Sequence, residues 1–289
     1  MNAGFGAVTI VGVGLLGGSL GLALKQRGLA SCVRGVGRRQ EVLDTALSIN
    51  AIDDASLDLG AAVRGADLIV LCTPAVLIFD QLDTIRSRVA PNVVVTDVGS
   101  TKTEICAHVR SNWSRPLRFV GSHPMAGSEK FGPEHASANL YDGCVTIVEP
   151  LDDHAEDAHE TVCALWRAVG SRVIEVAPRA HDDIVARTSH IPHVVAALIA
   201  ELAAASGEVR DFTGKGFRDV TRIAAGRAEL WRDICLTNRN AIVEGLREFG
   251  NRTEAVRELI ERGKAYELEA FFRSAQVARK KVLGEDGPA

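Results

Sequence analysis

The first half of the chain alternates short, almost continuously apolar runs with stretches long enough to form helices. The runs are rich in β-branched residues and comprise residues 8–11, a run that ends at residue 36, and residues 67–72, 93–96, 119–120, 144–148 and 173–176. Between them, helices are predicted in a stretch that ends at residue 24 and over residues 41–50, 75–89, 101–112 and 153–169. Continuous apolarity is typical of strands that are buried on both faces. The pattern therefore predicts an α/β fold with a doubly wound parallel sheet.

Beyond Pro178 the apolar residues take up a helical spacing. Intervals of one, three and four between residues 184 and 202 predict a helix, and Pro192 within it predicts a kink. Two further helices are predicted over residues 234–249 and 253–283, with Gly250 and Asn251 as a stop and restart. We therefore predict an α/β domain over residues 1–178 and an all-helical domain over residues 179–289. The large apolar faces of the helical domain predict burial against a second copy of the chain, as in a homodimer.

Composition narrows the class of protein. Of 289 residues, 46% are hydrophobic and 24% are charged, as in ordinary soluble globular proteins. With 33 Lys and Arg against 37 Asp and Glu, the chain lacks the basic excess that nucleic-acid binding requires. Its six cysteines form no Cys-x-x-Cys pair, which argues against a zinc site and a disulfide framework. Residues 2–24 carry no charge, but their many glycines disfavour a membrane helix and no basic residue precedes them. We therefore expect a cytoplasmic protein that does not bind membranes.

A Gly-x-Gly-x-x-Gly motif follows directly after the first predicted strand. Gly12 permits a tight turn, Gly14 lets the backbone approach a pyrophosphate, and Gly17 allows close contact between helix and strand. Leu15 and Leu16 begin the helix, whose N-terminus supplies free N–H groups and a positive dipole. The motif predicts a Rossmann-type dinucleotide-binding domain, with Thr73 after the third strand as a further cofactor contact. A tight turn without a ligand is the alternative.

The second predicted strand ends without a carboxylate. An acidic residue is expected there when the ribose 2′-hydroxyl of NAD is recognised, but this chain has Arg38 and Arg39. Two guanidinium groups can hold a 2′-phosphate, so NADP is favoured over NAD. Solvated arginines beside a site that accepts NAD are the alternative.

Several polar motifs follow the later strands and the helical segments. Asp97-Val-Gly-Ser-Thr-Lys102 and Gly121-Ser-His-Pro-Met-Ala-Gly-Ser-Glu-Lys130 lie where the carboxyl ends of parallel strands bind ligands. Ser189-His-Ile-Pro-His193, Gly216-Phe-Arg-Asp-Val-Thr-Arg222 and Trp231 come later. His190 and His193 share one helical face, but no third ligand accompanies them, so we expect no metal site.

Taken together, these segments resemble the prephenate and arogenate dehydrogenase family of tyrosine biosynthesis. The resemblance covers nearly the whole chain, with the motifs in the family's order. It implies NADP- or NAD-dependent oxidative decarboxylation of prephenate to 4-hydroxyphenylpyruvate. The alternative substrate is arogenate, which would give tyrosine directly. The resemblance also implies that the helical domain binds substrate and forms a dimer.

The resemblance assigns roles residue by residue. His123 matches the catalytic histidine that accepts the hydroxyl proton, and Ser100 matches the serine that bonds the same hydroxyl. Arg222 matches the arginine that grips a substrate carboxylate. The remaining substrate-binding candidates are Ser128, Glu129 and Asp219 near the site entrance and His193 and Trp231 near the substrate side chain. His181 and His190 are expected to be structural.

Two other functions are alternatives to a prephenate or arogenate dehydrogenase. A β-hydroxyacid dehydrogenase or imino-acid reductase would place a catalytic lysine on a C-terminal helix, whereas Lys215 is expected in a glycine-rich loop. A non-catalytic NADP-sensing module would have no need of Ser100, His123 and Arg222 in the family's order.

Overall fold

The computed structural model describes residues 4–127 and 130–285. The chain divides into two compact units between Arg239 and Asn240. The boundary predicted after residue 178 marks where the strands stop, since the last described strand ends at Glu175. As a domain boundary, it stays a prediction.

A six-stranded parallel sheet forms the centre of the first unit. Its strands are β1 (Ala7–Val11), β2 (Cys32–Val36), β3 (Asp54–Ser56), β4 (Leu68–Leu71), β5 (Val94–Asp97) and β6 (Phe119–Val120). They lie in the order β3-β2-β1-β4-β5-β6. The intervening helices are α1 (Leu15–Gln26), α2 (Gln40–Ser48), α3 (Leu59–Ala62), α4 (Ala75–Arg86) and α5 (Thr103–Asn112). The strand order reverses between β1 and β4, which confirms the predicted doubly wound fold and marks the edge where such sheets bind ligands.

Both faces of this sheet are buried. Successive residues of β1 and β4 enter opposite clusters: Ile10 and Val70 pack in one, Val11 and Leu71 in the other. Because side chains alternate across a strand, a continuous apolar run can fill both clusters. This explains why these strands could be predicted from the sequence.

A second, three-stranded sheet corrects one expectation. The segments at 144–148 and 173–176 were predicted to extend the parallel series, but they form β8 (Val145–Val148) and β9 (Arg172–Glu175) of a separate sheet. Its first strand is β7 (Ser122–Pro124), antiparallel to β8, with His123 opposite Ile147. Helix α6 (Glu156–Ala168) joins β8 to β9. The chain passes from one sheet to the other at Gly121, between β6 and β7. A hydrophobic pattern indicates that a segment is a strand but not which sheet it joins.

Helices follow the second sheet within the same unit. They are α7 (Pro178–Val185), α8 (Ile191–Ala204), α9 (Lys215–Thr221) and α10 (Ala228–Thr237). Between α7 and α8 the chain makes a π-helical turn over Ala186–His190, directly before Pro192. The sequence predicts a kink at Pro192, and the departure from α-helical geometry that the structure shows is this π-helical turn. Proline lacks an N–H and clashes with the preceding turn, which disfavours a regular helix there.

The second unit consists of two helices, α11 (Arg239–Glu261), which begins at the boundary, and α12 (Ala265–Leu283). The predicted break at Gly250 and Asn251 is wrong, since α11 continues through both. The break comes at Gly263, whose φ of 61° lies in the left-handed region that favours glycine. Apolar side chains of both helices remain exposed in the single chain, including Ile260, Phe272 and Val277. Among the described residues, no helix combines the length and apolar character needed to cross a membrane.

Candidate active site

The glycine motif forms the turn between β1 and α1, and Gly12 and Gly17 each have a steric reason there. Gly12 has a φ of 95°, and a Cβ there would lie 2.8 Å from the Cys72 carbonyl oxygen. A Cβ on Gly17 would lie 2.0 Å from the Gly12 carbonyl oxygen, so only glycine lets α1 approach the turn. At Gly14, in contrast, a Cβ would meet no heavy atom within 4 Å. The backbone is therefore open at this position.

The start of α1 fits an anionic group. Gly14 caps the helix without a side-chain hydrogen bond, and the first turn, which begins with Leu15 and Leu16, contains no acidic residue. The free N–H groups and the helix dipole favour negative charge there. Thr73 lies over the same turn, since its Cγ2 is 2.9 Å from the position of a Cβ on Gly12. The predicted dinucleotide contacts thus lie together at the switch point of the sheet.

Arg38 and Arg39 lie just after β2. Both are exposed, and Arg39 lies 3.7 Å from the Glu41 carboxylate. Within residues 4–127 and 130–285, Arg38 has no ion pair. The carboxylates of Asp53 and Asp54 in the neighbouring segment are paired with Lys25 and Arg34.

A cavity of about 310 Å³ brings together the two predicted catalytic residues. Ser100 follows β5 and His123 lies in β7, so both come from the carboxyl edge of the central sheet. Much of the remaining wall is apolar and includes Val185 and Ile234. This size and lining are typical of a small-molecule site. Its other polar lining residues are Ser189, His190 and Trp231.

A buried carboxylate links the segments that carry Ser100 and His123 through hydrogen bonds. Asp97 at the end of β5 accepts hydrogen bonds from the backbone N–H of Gly99 (2.9 Å) and of Ser122 (3.1 Å). These are the residues directly before Ser100 and His123. Asp97 therefore fixes the separation of the two predicted catalytic residues, although no role was predicted for its side chain.

A second histidine forms a hydrogen bond with the His123 ring. Its Nδ1 lies 2.9 Å from Nε2 of His181, whose Nδ1 lies 2.8 Å from Oδ1 of Asp182. Burial and the neighbouring His181 hold the pKa of His123 well below its usual range, and Lys102 and His190 act in the same direction. The imidazole of His123 is therefore neutral at physiological pH, as a proton acceptor must be.

The side chains around Trp231 form another wall of the site. The His193 ring stacks on the Trp231 indole, with centroids 3.4 Å apart and planes at 24°. Burial lowers the pKa of His193, and the charge of Arg222 lowers it further. Arg222 therefore lies near His193, exposed at the end of α9. This places the predicted carboxylate-binding arginine beside the predicted side-chain end of the site.

His190 is buried between the cavity and the helices behind it. Asn238 Nδ2 lies 3.1 Å from His190 Nδ1 and 2.8 Å from the Asp182 carbonyl oxygen. Burial is the main cause that lowers the pKa of His190 to about 4, so this residue also stays neutral. His190 was predicted to be structural only, yet it lines the cavity.

Of the predicted substrate contacts, Trp231 lines this cavity, whereas His193 and Arg222 are not among its lining residues. Ser128 and Glu129 lie outside the described residues. Asp219 is exposed on α9. The substrate-binding roles of these five residues stay predictions.

One group elsewhere has the composition of a metal site. His159, Cys163 and Glu175 lie close enough to share an ion. However, Nε2 of His159 lies 3.1 Å from the Glu149 carbonyl oxygen, which can only accept a hydrogen bond. That nitrogen carries the proton and has no lone pair for a metal.

Comparison with known proteins agrees with this geometry. Residues 20–175 match the family model described as prephenate dehydrogenase, nucleotide-binding domain, and residues 177–274 match prephenate dehydrogenase, dimerization domain. The prephenate dehydrogenase of Bacillus subtilis is 30% identical over 96% of this chain and 76% of its own length. The cyclohexadienyl dehydrogenase of Zymomonas mobilis is 30% identical over 95% of each chain.

Solved structures give the same likeness. The prephenate dehydrogenase of Aquifex aeolicus, in complex with hydroxyphenyl propionate and NAD+, superimposes with a TM-score of 0.89 and 28% identity over 96% of this chain and 98% of that one. The arogenate dehydrogenase of Synechocystis gives a TM-score of 0.82 and 28% identity over 96% and 99% of the two chains.

Proposed function

Because the chain belongs to the prephenate dehydrogenase family, we propose that the cavity between Ser100, His123 and Trp231 is where it oxidises and decarboxylates its substrate. Membership makes the chain an NAD(P)-dependent oxidoreductase, whose reaction is the oxidative decarboxylation of prephenate to 4-hydroxyphenylpyruvate. It also favours an enzyme over the non-catalytic sensing module considered above.

His123 is the proton acceptor in this proposal. A bound nicotinamide supplies the acceptor for the hydride that leaves the ring carbon bearing the hydroxyl. As that carbon becomes a carbonyl, its hydroxyl proton must go to a neutral base. The low pKa of His123 supports this role, because burial and the nearby basic groups keep its imidazole unprotonated.

Ser100 and Arg222 position the substrate. Ser100 shares the cavity with His123 and can bond the same hydroxyl. Arg222 lies near His193 and offers a planar fork for a carboxylate. Holding the substrate at both ends fixes its reacting carbon, which lowers the entropic part of the barrier.

Prephenate is favoured over arogenate as the substrate. The two compounds differ only in the side chain, a keto acid in one and an amino acid in the other. The stacked pair of His193 and Trp231 lies at the proposed side-chain end, with the cation of Arg222 nearby. The positive charge of Arg222 would repel the ammonium group of arogenate, whereas the keto group of prephenate is neutral. The likeness to an arogenate dehydrogenase makes that activity the second candidate.

NADP is the favoured cofactor. Arg38 is exposed, has no ion pair in the described part of the chain, and follows the strand that faces the ribose in this fold. An unpaired guanidinium can hold a 2′-phosphate, and no carboxylate occupies the tip of β2. The Aquifex relative was solved in complex with NAD+, so NAD is the alternative.

The single observation that carries this proposal is the meeting of Ser100 and His123 in one cavity at the carboxyl edge of the sheet. The test is an absorbance assay of reduced nicotinamide, with prephenate or arogenate combined with NADP or NAD. We expect the greatest kcat/KM with prephenate and NADP. Preference for arogenate or NAD would overturn the corresponding assignment. A folded protein that binds cofactor but turns over neither acid would overturn the proposal.

A further inference from the structure

We propose that His181 and Asp182 are positioning residues that form a proton relay with His123, setting its tautomer and sharing the positive charge it acquires. This inference rests on the function proposed above. From the sequence, His181 is expected to be structural, and no role is predicted for Asp182.

The three side chains form one continuous hydrogen-bonded row. His123 Nδ1 is 2.9 Å from His181 Nε2, and His181 Nδ1 is 2.8 Å from Asp182 Oδ1. His181 is 0% exposed and Asp182 is 2% exposed, whereas His123 reaches the cavity. The row thus runs from the reacting site into the interior.

Asp182 is held as an ionised acceptor. Its Oδ1 accepts the backbone N–H of Lys102 and its Oδ2 accepts that of Thr103, each at 2.8 Å. Burial opposes ionisation, but these bonds and the one from His181 outweigh it and keep the pKa of Asp182 below its usual value. A carboxylate with three donors is therefore present behind His181.

The tautomers follow from this carboxylate. Because a carboxylate can only accept, Nδ1 of His181 carries a hydrogen and Nε2 of the neutral ring has a lone pair. His123 Nδ1 must then donate to His181, which leaves Nε2 of His123 as the basic nitrogen. Asp182 thus determines, through one intervening ring, which nitrogen of His123 accepts the substrate proton.

The proton balance explains why a closed relay suffices. The substrate hydroxyl loses its proton to His123 Nε2 as hydride leaves the same carbon. When the carboxylate departs as carbon dioxide, its bonding electrons enter the ring and the carbonyl oxygen becomes a phenolate. The phenolate takes the proton back, so no net proton leaves the site. A buried row need only stabilise the charge while His123 is protonated, by partial transfer of Nδ1–H toward His181 and Asp182.

The other basic groups near His123 are either paired with a carboxylate or neutral. The ammonium of Lys102 is paired with the buried Asp97 carboxylate. His190, from the π-helical turn, is neutral at physiological pH. Besides His181, Lys102 and His190 are the titratable neighbours that shift the pKa of His123 within the described residues.

The test compares two substitutions of His181 by single-turnover measurement of reduced nicotinamide. His181→Leu removes the acceptor for His123 Nδ1–H and the path to Asp182. His181→Gln keeps an acceptor oxygen but cannot carry charge. We expect a loss of about 10²-fold in the hydride-transfer rate for Leu and about 10-fold for Gln, with cofactor Kd unchanged. The matched control is His159→Gln, a buried histidine bonded to a backbone carbonyl, which should leave the rate unchanged.

A structural role alone would give a different pattern. Loss of activity that is equal in the Leu and Gln variants, or wild-type rates in the Gln variant, would overturn the relay. If the Leu variant does not fold, the Gln variant still decides, because it keeps the size and polarity of the site. Failure of the wild-type enzyme to turn over prephenate or arogenate would instead overturn the proposed function, so the two failures are distinct.

Discussion

At the scale of single residues, the site depends on which groups are kept neutral and which are kept charged. His123 must be unprotonated to act, and burial with its basic neighbours keeps it so. Asp182 must be ionised to orient the relay, and two backbone donors with His181 keep it so. Neither state can be read from the sequence, because the partners of His123 lie 58 residues further along the chain.

The pH dependence of turnover tests the state of His123. Because the pKa of His123 is shifted downward, its neutral form persists as pH falls below the usual histidine range. We expect kcat/KM to stay level from pH 8 to about 6.5 and to fall only at lower pH, where His123 becomes protonated. The neighbours that act on it are His181, Lys102 and His190.

The variant His123→Asn provides the control for this profile. It should lower kcat by about 10²–10⁴-fold and leave the Kd of the cofactor unchanged, because it removes the base and not the binding surface. An acid limb that persists unchanged in this variant, or a wild-type limb at or above pH 6.5, would assign the titration to another group.

At the scale of elements, continuous apolar runs were sufficient to predict the central strands, because both faces of that sheet are buried. The strand Ser122–Pro124 was not predicted, since Ser-His-Pro carries no apolar pattern and its pairing with β8 comes from residues more than twenty positions away. The break between the last two helices was placed at Gly250 and lies at Gly263. A glycine in a helix costs only about 1 kcal/mol, so Gly250 is tolerated, whereas Gly263 adopts a left-handed conformation.

The turn between β1 and α1 gives a prediction in which two glycines differ. Gly17→Ala places a methyl group 2.0 Å from the Gly12 carbonyl oxygen and should lower the Tm by several degrees or more. Gly14→Ala meets no atom within 4 Å and should leave the Tm unchanged. Because the open space at Gly14 is where the pyrophosphate would approach, this variant should weaken cofactor binding at least 10-fold.

Thermal unfolding without cofactor and titration of cofactor fluorescence separate these two effects. Equal stability losses in both variants would mean that the turn tolerates neither side chain for steric reasons. Unchanged cofactor affinity in Gly14→Ala would show that the pyrophosphate does not approach at that position.

At the scale of the whole molecule, the second unit exposes more apolar surface than a monomer would be expected to retain. A groove on this unit is lined by Phe249, Val256, Ile260 and Phe271, and further apolar side chains along α12 are exposed. Exposed apolar patches of this kind mark association surfaces. Residues 177–274 also match a dimerization domain, which makes a second copy of the chain the expected partner.

The substitution Ile260→Asp should therefore convert a dimer into a monomer. Ile260 is 62% exposed in the single chain, so an aspartate there costs little in the monomer. In the dimer it would be buried in the apolar groove, whose Arg252 and Arg257 are already paired with glutamates. Light scattering during size-exclusion chromatography would give the mass of each species. Leu151→Asp, an exposed apolar residue of the first unit, is the matched control and should stay dimeric.

A wild-type monomer, or a dimer that survives Ile260→Asp, would mean that the groove is not the interface. Cofactor binding should persist in both variants, because the glycine turn lies in the first unit.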